Sequence, residues 1–345
     1  MTVPPTSGSP PSPPASGGTA SGGTAVGPVV TVTANPAIDH TVWIPGFRAG
    51  EVNRVASDDR SPGGKGVNVA AALRALDVEA VATGLLGDAN AAIFEAFLAA
   101  EGIADRFVRL PGATRTGIKI VDDVDGSTTD VNFPGLTADA AAVDRLVDEV
   151  GRAASAAGAR WVALSGSLPP GAPIDLYARL ADAAHAAGAR VAVDTSGAAL
   201  RAAVAGRPDL VKPNVEELEE LVGRRLPDTG ALLSAASELQ ALGIRHVVVS
   251  MGADGGLFVD GADAVVARPP AVTVASTVGA GDATVAGTIA ALLRGEGPVG
   301  VARLATACGA TAAATVGPRL DAAAVARRLD QVTTEELGVR TRGSR

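Results

Sequence analysis

Residues 160–194, RWVALSGSLPPGAPIDLYARLADAAHAAGARVAVD, decide how this chain folds. Two Val-rich runs, Arg160 to Ser165 and Arg190 to Asp194, flank a segment through Ala187 in which Leu and Ala recur at helical spacing. Strand, helix and strand in that order make a βαβ unit, the building block of a parallel sheet covered on both faces. The alternation continues with a strand over Leu210 to Lys212, a helix from Val215, a helix from Gly230 to Leu242 and a strand from His246 to Ser250. Upstream, Val29-Val30-Thr31-Val32-Thr33 is a β-branched run that stops at Asn35-Pro36. The expected fold class is therefore α/β, with a mostly parallel central sheet. Thr41 to Arg60 and Arg115 to Phe133 break the pattern, because they alternate like strands without helices between them. They are assigned to a small β-sheet lid, its strands within 41–60 and 113–135, able to close over the main domain.

Composition bounds the possibilities. With 47% hydrophobic but only 3% aromatic residues, the core of the 345-residue chain must be built from Ala, Val and Leu. A net charge of −8 without a basic cluster argues against nucleic acid as a partner. Cys308 is the single cysteine, so no intrachain disulfide can form, and its Ala-rich surroundings read as buried. The first charged side chain is Asp39, which leaves no basic region for a secretory signal and no Arg for a transit peptide. No apolar run is long enough to span a membrane. A cytoplasmic location, away from any membrane, is the expectation. Residues 1–27, almost wholly Pro, Gly, Ser, Thr and Ala, read as a disordered tail. The folded domain is expected over 28–335, followed by a second disordered tail over 336–345.

The sharpest local signal is Ser276-Thr277-Val278-Gly279-Ala280-Gly281-Asp282-Ala283, running into a helical pattern from Thr284 to Leu293. Small residues at 279–281 let backbone N–H groups turn toward an anion at the positive end of a helix. A carboxylate beside that anion hole suits a general base that activates a hydroxyl for phosphoryl transfer. Asp282 would equally serve as a helix cap after a Gly-rich turn. Pro62-Gly63-Gly64-Lys65-Gly66-Val67-Asn68 precedes a helix expected over Val69 to Leu76. It is not a Walker motif, since Gly66 stands where Ser or Thr would bind magnesium. So bare a loop admits a sugar to the backbone, to Lys65 and to Asn68, or is simply a flexible turn. In Lys212-Pro213-Asn214-Val215-Glu216-Glu217, Asn214 and Glu217 are spaced as a capping box, and the same pair could organise the water shell of magnesium. Ser250-Met251-Gly252-Ala253-Asp254-Gly255-Gly256 follows a strand at the edge where open α/β sheets bind ligands.

In this order, with Thr33-Ala34-Asn35-Pro36-Ala37-Ile38-Asp39 at the start, these pieces resemble the PfkB carbohydrate kinases from Val29 to about Leu329. The resemblance implies a ribokinase-like three-layer α/β/α sandwich with a sheet of about nine strands, a β lid, and ATP with Mg2+ as phosphoryl donor. It makes Asp282 similar to the family's base, with Gly279, Ala280 and Gly281 as its anion hole. ATP would lie along Ser250, Met251, Gly252, Ala253, Asp254 and Gly255 and against Gly281 and Asp282. Asn214 and Glu217 would hold magnesium through water. Asp39, Gly64, Lys65 and Asn68 would bind the sugar, and a homodimer would form through the lid.

Thr114-Arg115-Thr116-Gly117-Ile118-Lys119 and Thr129-Asp130-Val131-Asn132-Phe133-Pro134-Gly135 point to the phosphosugar branch of that family. Arg115 and Lys119 alternate to one strand face, where two cations can meet one phosphate or simply be solvated. With Ser165 to Gly171 and Gly102 to Phe107, these segments look most like the 1-phosphofructokinases, although Gly117 departs from the Asn common in that branch's arginine motif. The implied reaction is transfer of the ATP γ-phosphate to the 6-hydroxyl of fructose 1-phosphate. Tagatose 6-phosphate or fructose 6-phosphate is the alternative acceptor, and a non-catalytic sugar-phosphate sensor is the alternative from another class. A dehydrogenase is disfavoured, because no G-x-G-x-x-G follows the first strand.

Overall fold

A computed structural model describes residues 27–315, 317 and 319–338. In chain order it opens with β1 (Val29–Thr33), β2 (Ala37–Trp43), β3 (Ser57–Gly63), α1 (Lys65–Ala75), β4 (Ala80–Gly87), α2 (Ala92–Glu101), β5 (Ala104–Asp105) and β6 (Val108–Leu110). Then come β7 (Arg115–Asp122), β8 (Ser127–Val131), α3 (Ala140–Ala157), β9 (Trp161–Ser165), α4 (Leu176–Ala186), β10 (Arg190–Asp194), α5 (Gly197–Ala205) and β11 (Leu210–Val211). The chain continues through α6 (Val215–Val222), α7 (Thr229–Ala241), β12 (His246–Ser250), β13 (Gly256–Asp260), β14 (Asp263–Arg268), α8 (Ala280–Leu293), α9 (Pro298–Ala313), α10 (Ala322–Leu329) and β15 (Thr333–Leu337).

The main sheet has the order β15-β14-β13-β12-β11-β10-β9-β1-β4-β5, with β6 also on β4. It is parallel from β12 to β5, and β13, β14 and β15 add an antiparallel edge. β1 lies in the interior of this sheet, and all five of its residues are buried, as expected for a strand covered on both faces. Its Val30 and Val32 point with Val162, Leu164, Val191 and Val193 into a core closed by α3, α4, α5, α6 and α7. Val29 belongs, with Ala163, Ala192 and Leu210, to a second core closed by α1, α2, α8, α9 and α10. Cys308 is wholly buried there. The helices are bounded by ordinary stop signals, such as the Asp139 cap and left-handed Gly158 of α3. Among the described residues no helix is long and apolar enough to cross a membrane.

The lid is a separate sheet in the order β3-β2-β7-β8. It is larger than the expected bounds, because β2 begins at Ala37 and β3 runs on to Gly63. Four other expectations shift. Among the described residues the sheet has eleven strands rather than about nine, the additional ones being short or polar. Helix α1 starts at Lys65, not Val69, and α8 at Ala280, not Thr284, so each Gly-rich motif is partly a first helical turn. The strand expected over Leu210 to Lys212 ends at Val211. The folded chain runs to Leu337 instead of ending at 335, because Glu336 and Leu337 pair with Val265 and Ala264. Of the two tails, residues 1–26 and 339–345 lie outside the described residues.

Candidate active site

Parallel strands all point their carboxyl ends to one edge, where open α/β sheets bind ligands. At that edge Thr33, Ser165 and Asp194 stand in one row across β1, β9 and β10, and Asn214 bridges to Ser250. The first turn of α8 opens here. Gly279 caps it at φ 86°, a left-handed conformation that suits glycine, and supplies no side-chain cap. The first intrahelical bond runs from the Ala283 amide to the Gly279 carbonyl at 2.8 Å. The amides of Ala280, Gly281 and Asp282 precede it and form the positive end of the helix, an arrangement suited to an anion.

Asp282 is 5% exposed. It does not cap its own helix, and its Oδ2 accepts a 2.8 Å hydrogen bond from Nδ2 of Asn68, 214 residues away in sequence. This contact exists because α1 packs against α8. Burial first, and the nearby Asp194 charge second, push the Asp282 carboxyl up to about 6, against the pull of Asn68, Lys65 and Lys212. A carboxylate with so raised an affinity for protons is matched to accepting one near neutral pH.

Lys65 Nζ donates to Asp194 Oδ1 at 3.2 Å. Burial works against its charge, yet Asp194 and Asp282, with Glu217 beyond them, hold the ammonium above the usual lysine range. Lys212 forms an ion pair with the same oxygen, 3.3 Å away. It is 5% exposed, and its Nζ is 3.2 Å from where a Cβ on Gly281 would stand. A second ammonium therefore sits against the α8 turn. Gly64, the N-cap of α1, packs where a Cβ would meet Thr33 Cγ2 at 2.5 Å.

The lid contributes the opposite wall. Asp39 pairs with Gly117 across β2 and β7, and its carboxylate lies over Gly63, where a Cβ would come within 2.2 Å of Oδ2. Burial raises the Asp39 pKa, while Lys119 and Arg115 pull it down, so both cations share its face. Arg115 is held more firmly than a solvated strand residue would be. Its guanidinium donates to the carbonyls of Phe133 (2.9 Å), Pro36 (3.3 Å) and Asn35 (3.3 Å), and it lines a small open pocket with Asn35, Thr114 and Leu136. Three of its five N–H groups are used, leaving two for a ligand. Lys119 has no ion pair among the described residues. Oδ1 of Asn132 lies 3.4 Å from where a Cβ on Gly117 would be, so an amide from just past the neighbouring strand β8 stands over the missing side chain.

Asn214 and Glu217 form a complete capping box: the Glu217 amide donates to Asn214 Oδ1 at 2.7 Å and the Asn214 amide to Glu217 Oε2 at 2.9 Å. One carboxylate oxygen of Glu217 remains outside the cap, so this donor set fits a magnesium held mostly by water. Among the described residues no group of three or more His, Cys, Asp or Glu is placed to bind a metal directly. Ser250 ends β12, and a short turn over Gly252–Asp254 closes with a 2.8 Å bond from the Met251 amide to the Gly255 carbonyl. This turn shares the sheet edge with α8, but among the described residues no hydrogen bond joins them. Three side chains absent from the expected set stand out here: Asp194, Lys212 and Asn132. Asp194 was signalled only by a carboxylate closing the Val-Ala-Val run of β10.

Residues 29–324 match the pfkB family of carbohydrate kinases. A 1-phosphofructokinase of Rhodobacter capsulatus is 50% identical over 292 residues, covering 85% of this chain and 92% of that one. A 1-phosphofructokinase of Xanthomonas campestris is 47% identical over 268 residues, 76% and 84% of the two chains. Among solved structures, phosphofructokinase-2 from Escherichia coli in complex with fructose-6-phosphate superposes with a TM-score of 0.82 at 30% identity, covering 88% of this chain and 99% of that one. Similarity that extends over the lid, the GGKGVN helix and the α8 turn leaves one conclusion: the chain belongs to the PfkB family of carbohydrate kinases.

Proposed function

We propose that this chain transfers the γ-phosphate of ATP to the 6-hydroxyl of fructose 1-phosphate, giving fructose 1,6-bisphosphate. The observation that carries the reading is the 2.8 Å bond from Asn68 to Asp282, which joins the sugar loop to the base at the mouth of the anion hole. The names of the relatives at 50% and 47% identity support the choice of sugar.

In this reading Asp39, Gly64, Lys65 and Asn68 hold the sugar, while Arg115 and Lys119 neutralise its 1-phosphate. Asp282 takes the proton of the 6-hydroxyl as that oxygen attacks the γ-phosphorus and the bond to the ADP oxygen breaks. The amides of Ala280 and Gly281 face the charge on the transferring group. Ser250, Met251, Gly252, Ala253, Asp254 and Gly255 line the nucleotide. Magnesium bound through water at Asn214 and Glu217 would neutralise phosphate charge. The exposed apolar Val52, Val55 and Val131 of the lid region support pairing of two copies through it.

A coupled ADP-release assay against a panel of sugars tests the reading, with fructose 1-phosphate expected as the best acceptor. Removing Arg115 deletes a charge-assisted bond of roughly 1.5–3 kcal/mol, about a 10- to 150-fold loss in kcat/KM for the sugar phosphate. Because Arg115 also holds three carbonyls, Arg115→Ala is compared with Lys119→Met, which breaks no ion pair. Variants impaired only toward ATP, or a wild type equally active on free fructose, would remove the phosphate site. Fructose 6-phosphate is the second reading, favoured by the sugar held in the Escherichia coli structure.

A further inference from the structure

Asp194 belongs to none of the motifs that define the proposed reaction, yet it is 1% exposed at the carboxyl end of β10. Its Oδ1 accepts a hydrogen bond from Lys65 at 3.2 Å and forms an ion pair with Lys212 at 3.3 Å. Its Oδ2 is buried with no partner among the described residues. A carboxylate so dry is costly unless the charges around it hold it there. The two lysines come from elements far apart in sequence, α1 and the segment after β11, and one oxygen fixes both. Each has a second neighbour in the site. Lys212 stands against Gly281, and Lys65 shares α1 with Asn68, the donor to Asp282.

We propose that Asp194 is the positioning residue of the phosphoryl-transfer site, holding the Lys65 and Lys212 ammonium groups beside Asp282, where they meet the anionic group being transferred. The proposal rests on Asp282 as the base. The groups acting on Asp282 are Lys65 and Asn68 from α1, Asp194 from β10 and Lys212 from the β11 end. Of these, only Asp194 raises its proton affinity by charge, and the two lysines lower it. An ion pair that merely stabilises the fold would move the melting temperature and leave kcat of the folded protein where it is.

The test is kcat, together with the pH profile of kcat/KM for the sugar phosphate, which reports the free enzyme, for Asp194→Asn, Lys65→Met and Lys212→Met, with melting temperatures recorded at each pH. Asn keeps the shape and the Oδ1 acceptor. Expected are a loss of kcat on the order of tenfold or more in Asp194→Asn and an acid limb displaced to lower pH. In both lysine variants the limb moves to higher pH. An acid limb in Asp194→Asn that is unmoved or raised, whatever its melting temperature, overturns the proposal, as do lysine variants whose limb moves with that of Asp194→Asn. Should Asp194→Asn not fold, the two lysine variants decide alone. Failure of the underlying reading is separately visible: wild type would then lack an acid limb near pH 6, or Asp282→Asn would keep wild-type turnover, and the proposal falls with it.

Discussion

Replacing Asp282 with Asn should slow the enzyme and stabilise its fold in the same step. The carboxyl is buried beside Asp194, and its pKa is carried from 3.8 to about 6 on folding. At ~1.4 kcal/mol per pH unit that difference is worth about 3 kcal/mol. Its sign follows from proton counting. Between about pH 4 and 6 the unfolded chain has released a proton that the folded chain keeps, so stability falls as pH rises through that window. Above pH 6 the whole penalty is present. Asn has no proton to lose and can still accept from Asn68 through its amide oxygen. Asp282→Asn should therefore exceed wild type in unfolding free energy by up to about 3 kcal/mol at pH 8, with the advantage gone below pH 4. Denaturant unfolding of both proteins at pH 8 and pH 4, without nucleotide, measures the effect of this carboxyl together with the neighbours it is coupled to. Turnover in the same variant should drop by on the order of 100-fold or more. A variant no more stable than wild type at pH 8, or equally stabilised at both pH values, would refute the buried-charge argument. Near wild-type turnover would refute the base.

Asn214→Ala and Glu217→Ala remove halves of a capping box, so each should lose about 1 kcal/mol of stability. If they also organise magnesium, the metal concentration giving half-maximal rate should rise in both, whereas a loss of melting temperature alone would leave them as caps. Gly117→Asn introduces a Cβ only 3.4 Å from Asn132 Oδ1 and 3.7 Å from Asp39 Oδ1. It should raise KM for the sugar phosphate severalfold at unchanged KM for ATP, and Asn132→Ala in the same chain should relieve part of that rise. An effect confined to ATP would show that this corner of the lid does not touch the sugar.

The βαβ alternation was legible because buried parallel strands must be apolar on both faces, and HVVVS or WVALS cannot be much else. Strand number was not legible for the same reason in reverse. β5 and β6 have two and three residues, and β15 is the polar, mostly exposed TTEEL at a sheet edge, so none leaves a hydrophobic pattern. Helix starts were read late because GGKG and GAG have the composition of turns, although the amides they expose belong to first helical turns.

Site chemistry was legible as residue types and illegible as pairings. Asn68 and Asp282 are recognisable separately, but their contact depends on β1 lying inside the sheet, which brings α1 from the start of the domain against α8 near its end. Asp194 left only a faint trace, a carboxylate at a strand end, because its meaning lies in Lys65, 129 residues upstream, and in Lys212 beyond a helix and a short strand. Arg115 shows the opposite case. Its spacing with Lys119 pointed to a phosphate, and the fold gives it three carbonyls to hold as well. One guanidinium thus ties the loop after β1 to the segment after β8. Any displacement of Arg115 toward a bound phosphate must therefore be felt at Asn35 and Phe133, on the two chain segments that flank the lid's own connections to the main sheet.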